Sequence, residues 1–322
     1  MSAVEQVRRL GGAGLSRFLD AVELRLQRAV ASTPGSVSRA GGETLHAGGK
    51  RLRPTLVYLS APRGARDAAG VEIAAAAVEL VHMATLVHDD VLDEAPLRRG
   101  HPTAWATHGE PVAIATGDYL FSRAFAELAA LGDSVSIRVL SQTSVELARG
   151  EMLQAEQARD PGVAPEAVLE RCRLKTGRLF AAACALGGRL GGLSDEGCAA
   201  LDRFGESLGL AFQLADDVLD CAGDPTRTGK ALGTDLRDGT TSLPLLVAAR
   251  ADEVLATALR GPVAAADVLP LLARVEATGA LAQVRDTAAS YARRAEAELE
   301  QAPGSDATAL RALLQRAIDR DS

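Results

Sequence analysis

Aromatic residues are scarce in this chain of 322 residues, at 3% of the total. Ala, Leu, Val, Arg and Glu dominate instead, a composition that favours helix. Basic residues are not in excess. The net charge is −7 and the pI about 5.4, which argues against a nucleic-acid binder and makes any local basic cluster an exception to the average. Cys172, Cys184, Cys198 and Cys221 lack paired metal-ligand spacing, so reduced thiols in a cytoplasmic protein are expected. The N-terminus carries Glu5, Arg8 and Arg9 before any apolar run, unlike a signal peptide. No uncharged stretch approaches the roughly 20 residues of a membrane span. There is also no Gly-rich dinucleotide fingerprint and no Ser/His/Asp order; His46, His82, His101 and His108 show no metal spacing, and Gly229-Lys230 lacks the upstream glycine of a phosphate loop.

What is present is helical periodicity. Val4, Val7, Phe18, Val22, Leu26 and Val30 place a helix over 3–31, weakened or broken near Gly11, Gly12 and Gly14. A short helix ends at Gly48-Gly49, and another covers 54–62 after a loop that holds Lys50, Arg51 and Arg53. A long apolar helix runs over 71–95 and should stop at Pro96. Further helices are expected at 110–131, 134–159, 165–190, 195–222, 243–259, 265–276, 279–301 and 306–319. Residues 223–242 are polar and Gly-rich, like a lid or binding loop. No strand has a convincing alternation and no linker divides the chain. The expectation is one all-α domain over 1–322, a many-helix bundle with a central cavity.

Two acidic hexapeptides stand out. His88-Asp89-Asp90-Val91-Leu92-Asp93 recurs later as Ala215-Asp216-Asp217-Val218-Leu219-Asp220. Each sets three carboxylates at i, i+1 and i+4, so that i and i+4 stack and i+1 lies about 100° round the helix. A solvated face is the ordinary explanation of acidic runs. Here the first cluster follows directly on Val81–Val87, both lie at helix C-terminal ends where the macrodipole disfavours negative charge, and the pattern occurs twice. Dense all-oxygen donors suit a hard cation such as Mg²⁺, which keeps waters and is shared with substrate phosphates.

The basic residues fit a phosphate ligand. Lys50, Arg51 and Arg53 follow a Gly pair, Arg98-Arg99 follow the first acidic cluster, and Lys175-Thr176 and Lys230 add donors. Each alone would be an ordinary surface charge. Together with two acidic clusters they point to two diphosphate sites, one bound through metal and one through cations alone. Ala84 and Thr85, with Val81 and Ala77 behind them, could line a groove for an apolar tail, although periodicity alone favours plain core.

From about residue 40 to 250 the chain resembles the trans-isoprenyl diphosphate synthases, or polyprenyl synthetases. The resemblance rests on Gly48-Gly49-Lys50-Arg51-Leu52-Arg53-Pro54, on Asp89-Asp90-Val91-Leu92-Asp93 with Arg98-Arg99-Gly100, and on Lys175-Thr176-Gly177. It extends to Phe212-Gln213-Leu214-Ala215-Asp216-Asp217-Val218-Leu219-Asp220, then Gly229-Lys230 and Gly233-Thr234-Asp235-Leu236. It implies an all-α fold, a homodimer, and an allylic diphosphate held by three Mg²⁺ between Asp89, Asp90, Asp93 and Asp216, Asp217, Asp220. It implies that Gly49, Lys50, Arg53, His82 and Arg99 bind isopentenyl diphosphate. Arg98, Lys175 and Lys230 would contact the allylic diphosphate, with Thr176 and Gln213 near the allylic cation. Val81, Ala84 and Thr85 would wall the growing chain, and the small residues at 84 and 85 resemble makers of products longer than farnesyl diphosphate.

Two departures stand beside the match. Thr240 occupies a position where the family often has lysine, and the C-terminal Arg320-Asp321-Ser322 is not basic. The rival readings are a class I terpene cyclase or head-to-head coupling enzyme, and a non-catalytic subunit of a heteromeric synthase. The Lys50/Arg53/Arg99 set disfavours the first and the two intact aspartate clusters disfavour the second.

Overall fold

A computed structural model of the chain describes residues 3–223, 232–302 and 304–318. The chain folds into two compact units. One comprises Met1–Ser144, Leu179–Asp202 and Leu299–Leu310; the other comprises Val145–Arg178, Arg203–Glu298 and Arg311–Ser322.

The first unit is built on α1 (Ala3–Ala31), α2 (Ser36–His46), α3 (Leu52–Ser60), α4 (Ala69–Leu92), α5 (Ala104–His108) and α6 (Glu110–Ala129). The expected weakness in α1 is a kink at Gly12, with φ +64°. Past it, Leu15, Phe18, Leu19, Val22 and Leu26 repeat at helical spacing and are all buried. Helix α4 is the spine of the unit and packs most extensively on α6. Ala74–Ala77, Val78, Leu80 and Val81 have no exposed surface, so small side chains let neighbouring helices approach closely. By length and composition α4 could cross a membrane, but 67% of its apolar window is buried in the protein, so core packing accounts for its hydropathy.

Helix α4 ends before Pro96 reaches it. Asp93 donates its backbone N–H to the Asp89 carbonyl at 2.8 Å, and Glu94 takes a left-handed φ of +47°. The basic segment that follows is a tiny hairpin of β1 (Leu97–Arg98) and β2 (His101–Pro102), which the sequence pattern did not suggest. Its two-residue turn, Arg99-Gly100, has φ +54° and +80°, the doubly positive geometry that matches strand twist.

Helix α9 (Arg178–Leu190) places Leu179–Leu190 in the same unit and lies against α3. A Cβ at Gly187 would lie 2.2 Å from the Val57 carbonyl oxygen, a backbone atom with nowhere to move. Gly187→Ala should therefore cost about 3 kcal/mol or more through overpacking, read as a lower urea midpoint with an unchanged slope. Arg66, itself buried, donates to Asp306 at 3.0 Å and ties the α3–α4 loop to the start of α16 (Ala307–Ile318).

The second unit holds Val145–Gln157 of α7 (Ser134–Gln157), α8 (Pro165–Cys172) and the greater part of α10 (Asp195–Ala222). It continues through α11 (Thr234–Asp238), α12 (Leu243–Ala251), α13 (Glu253–Ala258), α14 (Ala265–Ala277) and most of α15 (Ala280–Leu299). One core joins Leu236, Leu245, Leu255, Leu272 and Val275; another joins Val168, Leu210, Leu214, Val218 and Val284. The helix expected over 165–190 is interrupted by a π-helical turn at Arg173–Gly177. The one expected over 243–259 breaks at Asp252, whose side chain caps α13 by accepting from the Val254 and Leu255 N–H groups. All four cysteines are free, and burial pushes the Cys172 and Cys184 thiols up to about 12.

Candidate active site

The first aspartate cluster occupies the last turn of α4. Asp90 is buried, whereas Asp89 is half-buried and Asp93 exposed. Burial raises the Asp90 carboxyl, and the Arg98 guanidinium opposes that rise by donating Nε to Oδ1 at 2.6 Å. The hairpin is what returns Arg98 to the helix it has just left. Its turn sends Arg99 the other way, where the guanidinium donates to the Gly48 carbonyl.

The Gly48–Arg53 segment and Arg99 thus meet in one place. Gly48 has φ +75°, and Arg51 is left-handed at φ +46° as the residue before α3. A Cβ at Gly49 would lie 2.8 Å from an Arg99 nitrogen and 3.2 Å from an Arg51 nitrogen, so glycine permits this close approach. Arg51 is committed to the protein: it bonds Glu23 at 3.0 Å and buried Glu79 at 3.0 Å. Arg53 lies over the Phe180 ring, 5.0 Å from its centroid, and its buried Nε has no hydrogen-bond partner. Burial pulls the Arg53 guanidinium down to about 10, with Arg99 adding repulsion and Glu79 opposing both. Burial, then Arg53 and Arg99, lower His82 well below its ordinary value, so that ring is neutral. Lys50 is exposed. The structure therefore gathers Gly49, Arg53, Arg99 and, by its charge coupling, His82, while turning Arg51 inward.

The second cluster lies on α10. Asp217 is buried, with Asp216 and Asp220 half-buried. A hydrogen-bonded chain leads to it: Thr176 Oγ1 donates to Gln213 Oε1 at 2.8 Å, and Gln213 Nε2 donates to Asp217 Oδ1 at 2.7 Å. The π-helical turn that breaks the expected helix is what presents Thr176 and Lys175. Such turns widen the backbone locally and recur at functional sites. Gly150 makes room for it, since a Cβ there would lie 2.7 Å from the Lys175 nitrogen. Lys175 pairs with Glu151 at 2.5 Å and with Gln154 at 3.2 Å. Asp220 accepts from the Thr234 and Asp235 N–H groups at 3.0 Å each, fastening α11 to the cluster.

Asp235 was not among the expected site residues. Burial, then Asp217 and Asp220, raise its carboxyl well above the ordinary range, and burial likewise pushes Asp217 up. In the sequence it falls within the Gly233-Thr234-Asp235-Leu236 match, but a polar loop has no periodicity to mark it as a site residue. Glu79 was missed as well, although a lone carboxylate inside an apolar helix is itself a signal. Lys230 lies outside the described residues, as do the other residues of the expected lid from 224 to 231.

Val81 and Ala84 are fully buried, and Thr85 is half-buried with its hydroxyl donating to the His82 carbonyl at 2.8 Å. Among the described residues, no three carboxylate, imidazole or thiolate groups converge to hold an ion by themselves. The donors in both clusters are all oxygen, and that fits a hard cation which takes its remaining ligands from water and a phosphate substrate.

Comparison with known proteins agrees with these features. Residues 36–268 match the model of the polyprenyl synthetase family. The chain is 39% identical over 298 residues to heptaprenyl diphosphate synthase component 2 of Geobacillus stearothermophilus, covering 92% of this chain and 93% of that one. It is 40% identical over 282 residues to the nonaprenyl diphosphate synthase of Mycobacterium tuberculosis, covering 85% and 84%. Among solved structures, the polyprenyl synthase of Caulobacter crescentus, complexed with calcium and isoprenyl diphosphate, superposes with a TM-score of 0.86 at 36% identity over 99% and 98% of the two chains. With the family model matched over residues 36–268 and relatives about 40% identical over most of its length, the chain belongs to the polyprenyl synthetase family of trans-prenyl diphosphate synthases.

Proposed function

We propose that the protein joins isopentenyl diphosphate head-to-tail (1′-4) to an allylic diphosphate, releasing diphosphate and giving a trans-polyprenyl diphosphate longer than farnesyl. The observation that carries this reading is in the first unit. An intact aspartate cluster shares that unit with a guanidinium pocket whose Arg53 Nε is buried and unpartnered. One diphosphate is to be held through metal and expelled; the other is to be held by cations and kept.

In this reading Asp89, Asp90, Asp93, Asp216, Asp217 and Asp220 hold three Mg²⁺, and the two units act as one catalytic domain. When bound, the ions neutralise the charge that builds on the departing diphosphate. Arg98, Lys175 and Lys230 contact the allylic diphosphate. Gly49, Lys50, Arg53, His82 and Arg99 fix isopentenyl diphosphate so that its double bond meets the allylic carbon as the carbon–oxygen bond breaks. Thr176 and Gln213 stand near the cation, and the proton lost from the new chain goes to the released diphosphate, so no side-chain base is required. A homodimer and a cytoplasmic location complete the proposal.

Product length is set in this reading by Val81, Ala84 and Thr85, and the relatives named for heptaprenyl and nonaprenyl products support a long chain. Ala84→Phe should shorten the product by several isoprene units; an unchanged length would remove Ala84 from the wall. The whole reading is tested by incubating the isolated chain with Mg²⁺, isopentenyl diphosphate and an allylic primer. Elongated prenyl diphosphate is expected. A cyclic hydrocarbon formed without isopentenyl diphosphate would favour a cyclase, and turnover only after adding a second subunit would favour a heteromeric enzyme.

A further inference from the structure

Glu79 sits on α4, three residues before His82, and its side chain is 4% exposed. A carboxylate buried in an apolar helix is costly unless cations surround it. Arg51 bonds it directly, but Arg51 also has Glu23, bound through two of its nitrogens. Glu79 therefore offers more negative charge than Arg51 requires, and the Arg51 nitrogen that holds it lies 3.2 Å from the place a Gly49 Cβ would take, with an Arg99 nitrogen 2.8 Å from the same place. Glu79 counters the burial that pulls Arg53 and Arg99 down, while Arg99 repels Arg53 and is itself repelled by Arg51 and Arg98. Like charges in such a cluster spread apart unless something common to them all draws them in. Glu79, buried on α4 and bonded to Arg51, is placed to do that.

We propose that Glu79 is a positioning residue for the isopentenyl diphosphate site: it keeps Arg53 and Arg99 convergent before the diphosphate arrives, a role separate from its pairing with Arg51. This rests on the functional reading above, and deepens it. The preorganisation removes a cost that binding would otherwise have to meet, so it should be felt in substrate affinity rather than in the bond-making step.

The test compares Glu79→Gln, Arg51→Met and the double variant in the full-length protein. Both single variants break the same buried ion pair, Arg51→Met also releases Glu23, and Tm follows the structural damage in each. Glu79→Gln should raise KM for isopentenyl diphosphate about 10-fold, with kcat and the allylic KM within about twofold of wild type. Arg51→Met should raise it less than about threefold, because Glu79 still faces Arg53 and Arg99. Equal shifts in the two single variants, or no shift in Glu79→Gln, would overturn the proposal. Should Glu79→Gln fail to fold, the double variant removes both members of the buried pair and carries the test against Arg51→Met, which releases Glu23 equally: a KM raised above that of Arg51→Met supports the role and an equal KM refutes it. Inorganic diphosphate binding in metal-free buffer supplies a readout independent of turnover. It should weaken about 10-fold in Glu79→Gln, and equal affinity would again overturn the role. A wild-type protein that binds diphosphate but condenses nothing would refute the functional reading, and the binding comparison would still decide the role of Glu79.

Discussion

Asp89→Ala and Asp216→Ala should each cut turnover by about 10³-fold, equivalent to roughly 4 kcal/mol of transition-state stabilisation, with the far-UV circular dichroism unchanged. The size follows from the chemistry. Expelling diphosphate concentrates negative charge on oxygens that water alone stabilises poorly in a closed site, and each cluster is asked to hold the ions that neutralise it. Both positions are half-buried. Their buried neighbours Asp90 and Asp217 also carry hydrogen bonds. Asp90→Ala would leave Arg98 without its carboxylate, and Asp217→Ala would leave the Thr176–Gln213 chain without its acceptor, so lost activity would be mixed with lost structure. Turnover within about tenfold of wild type in either variant would be too small for an ion-binding role in the transition state.

Arg53→Met carries the second large effect, and its two readouts have opposite signs. KM for isopentenyl diphosphate should rise about 100-fold, the loss expected when a buried cation that pairs with a charged ligand is removed. Tm should stay level or rise. In the free protein Arg53 is a half-buried cation with a buried, unsatisfied Nε, set over Phe180 and repelled by Arg99. Methionine keeps the contact with the ring and removes both the unsatisfied donor and the repulsion. A site residue whose loss stabilises the fold is one held in place for its ligand. A fall in Tm with no change in KM would mean that Arg53 serves packing instead.

Much of the local structure was legible in the sequence. The apolar run of α4, its acidic end, the weakness at Gly12 and the helical character throughout follow from spacing and composition, because burial imposes a helical period on side chains. The errors have equally local causes. The helix expected over 165–190 has unbroken apolar periodicity, yet a π-helical turn at Arg173–Gly177 interrupts it, and a single extra residue in a turn leaves that pattern nearly unchanged. Pro96 lies beyond the real end of α4, where Glu94 is left-handed. The hairpin at 97–102 is too short for alternation to show.

The two aspartate clusters and the basic residues around them were fixed by the sequence itself: carboxylates at i, i+1 and i+4 need no tertiary contact to be recognised. What only the tertiary structure decided is how each charge is spent. Arg51 and Arg53 are two residues apart in one basic run, yet Arg51 is bound to Glu23 and Glu79 while Arg53 Nε has no partner. Arg98 and Arg99 are adjacent, yet one turns to Asp90 and the other to Gly48. Asp235 joins the second cluster through α11, and Glu79 on α4 takes Arg51 as its partner. Most of these pairings join residues far apart in sequence. Packing, turn geometry and the cost of an unpaired buried charge select them, and none of these has a period that can be read along the chain.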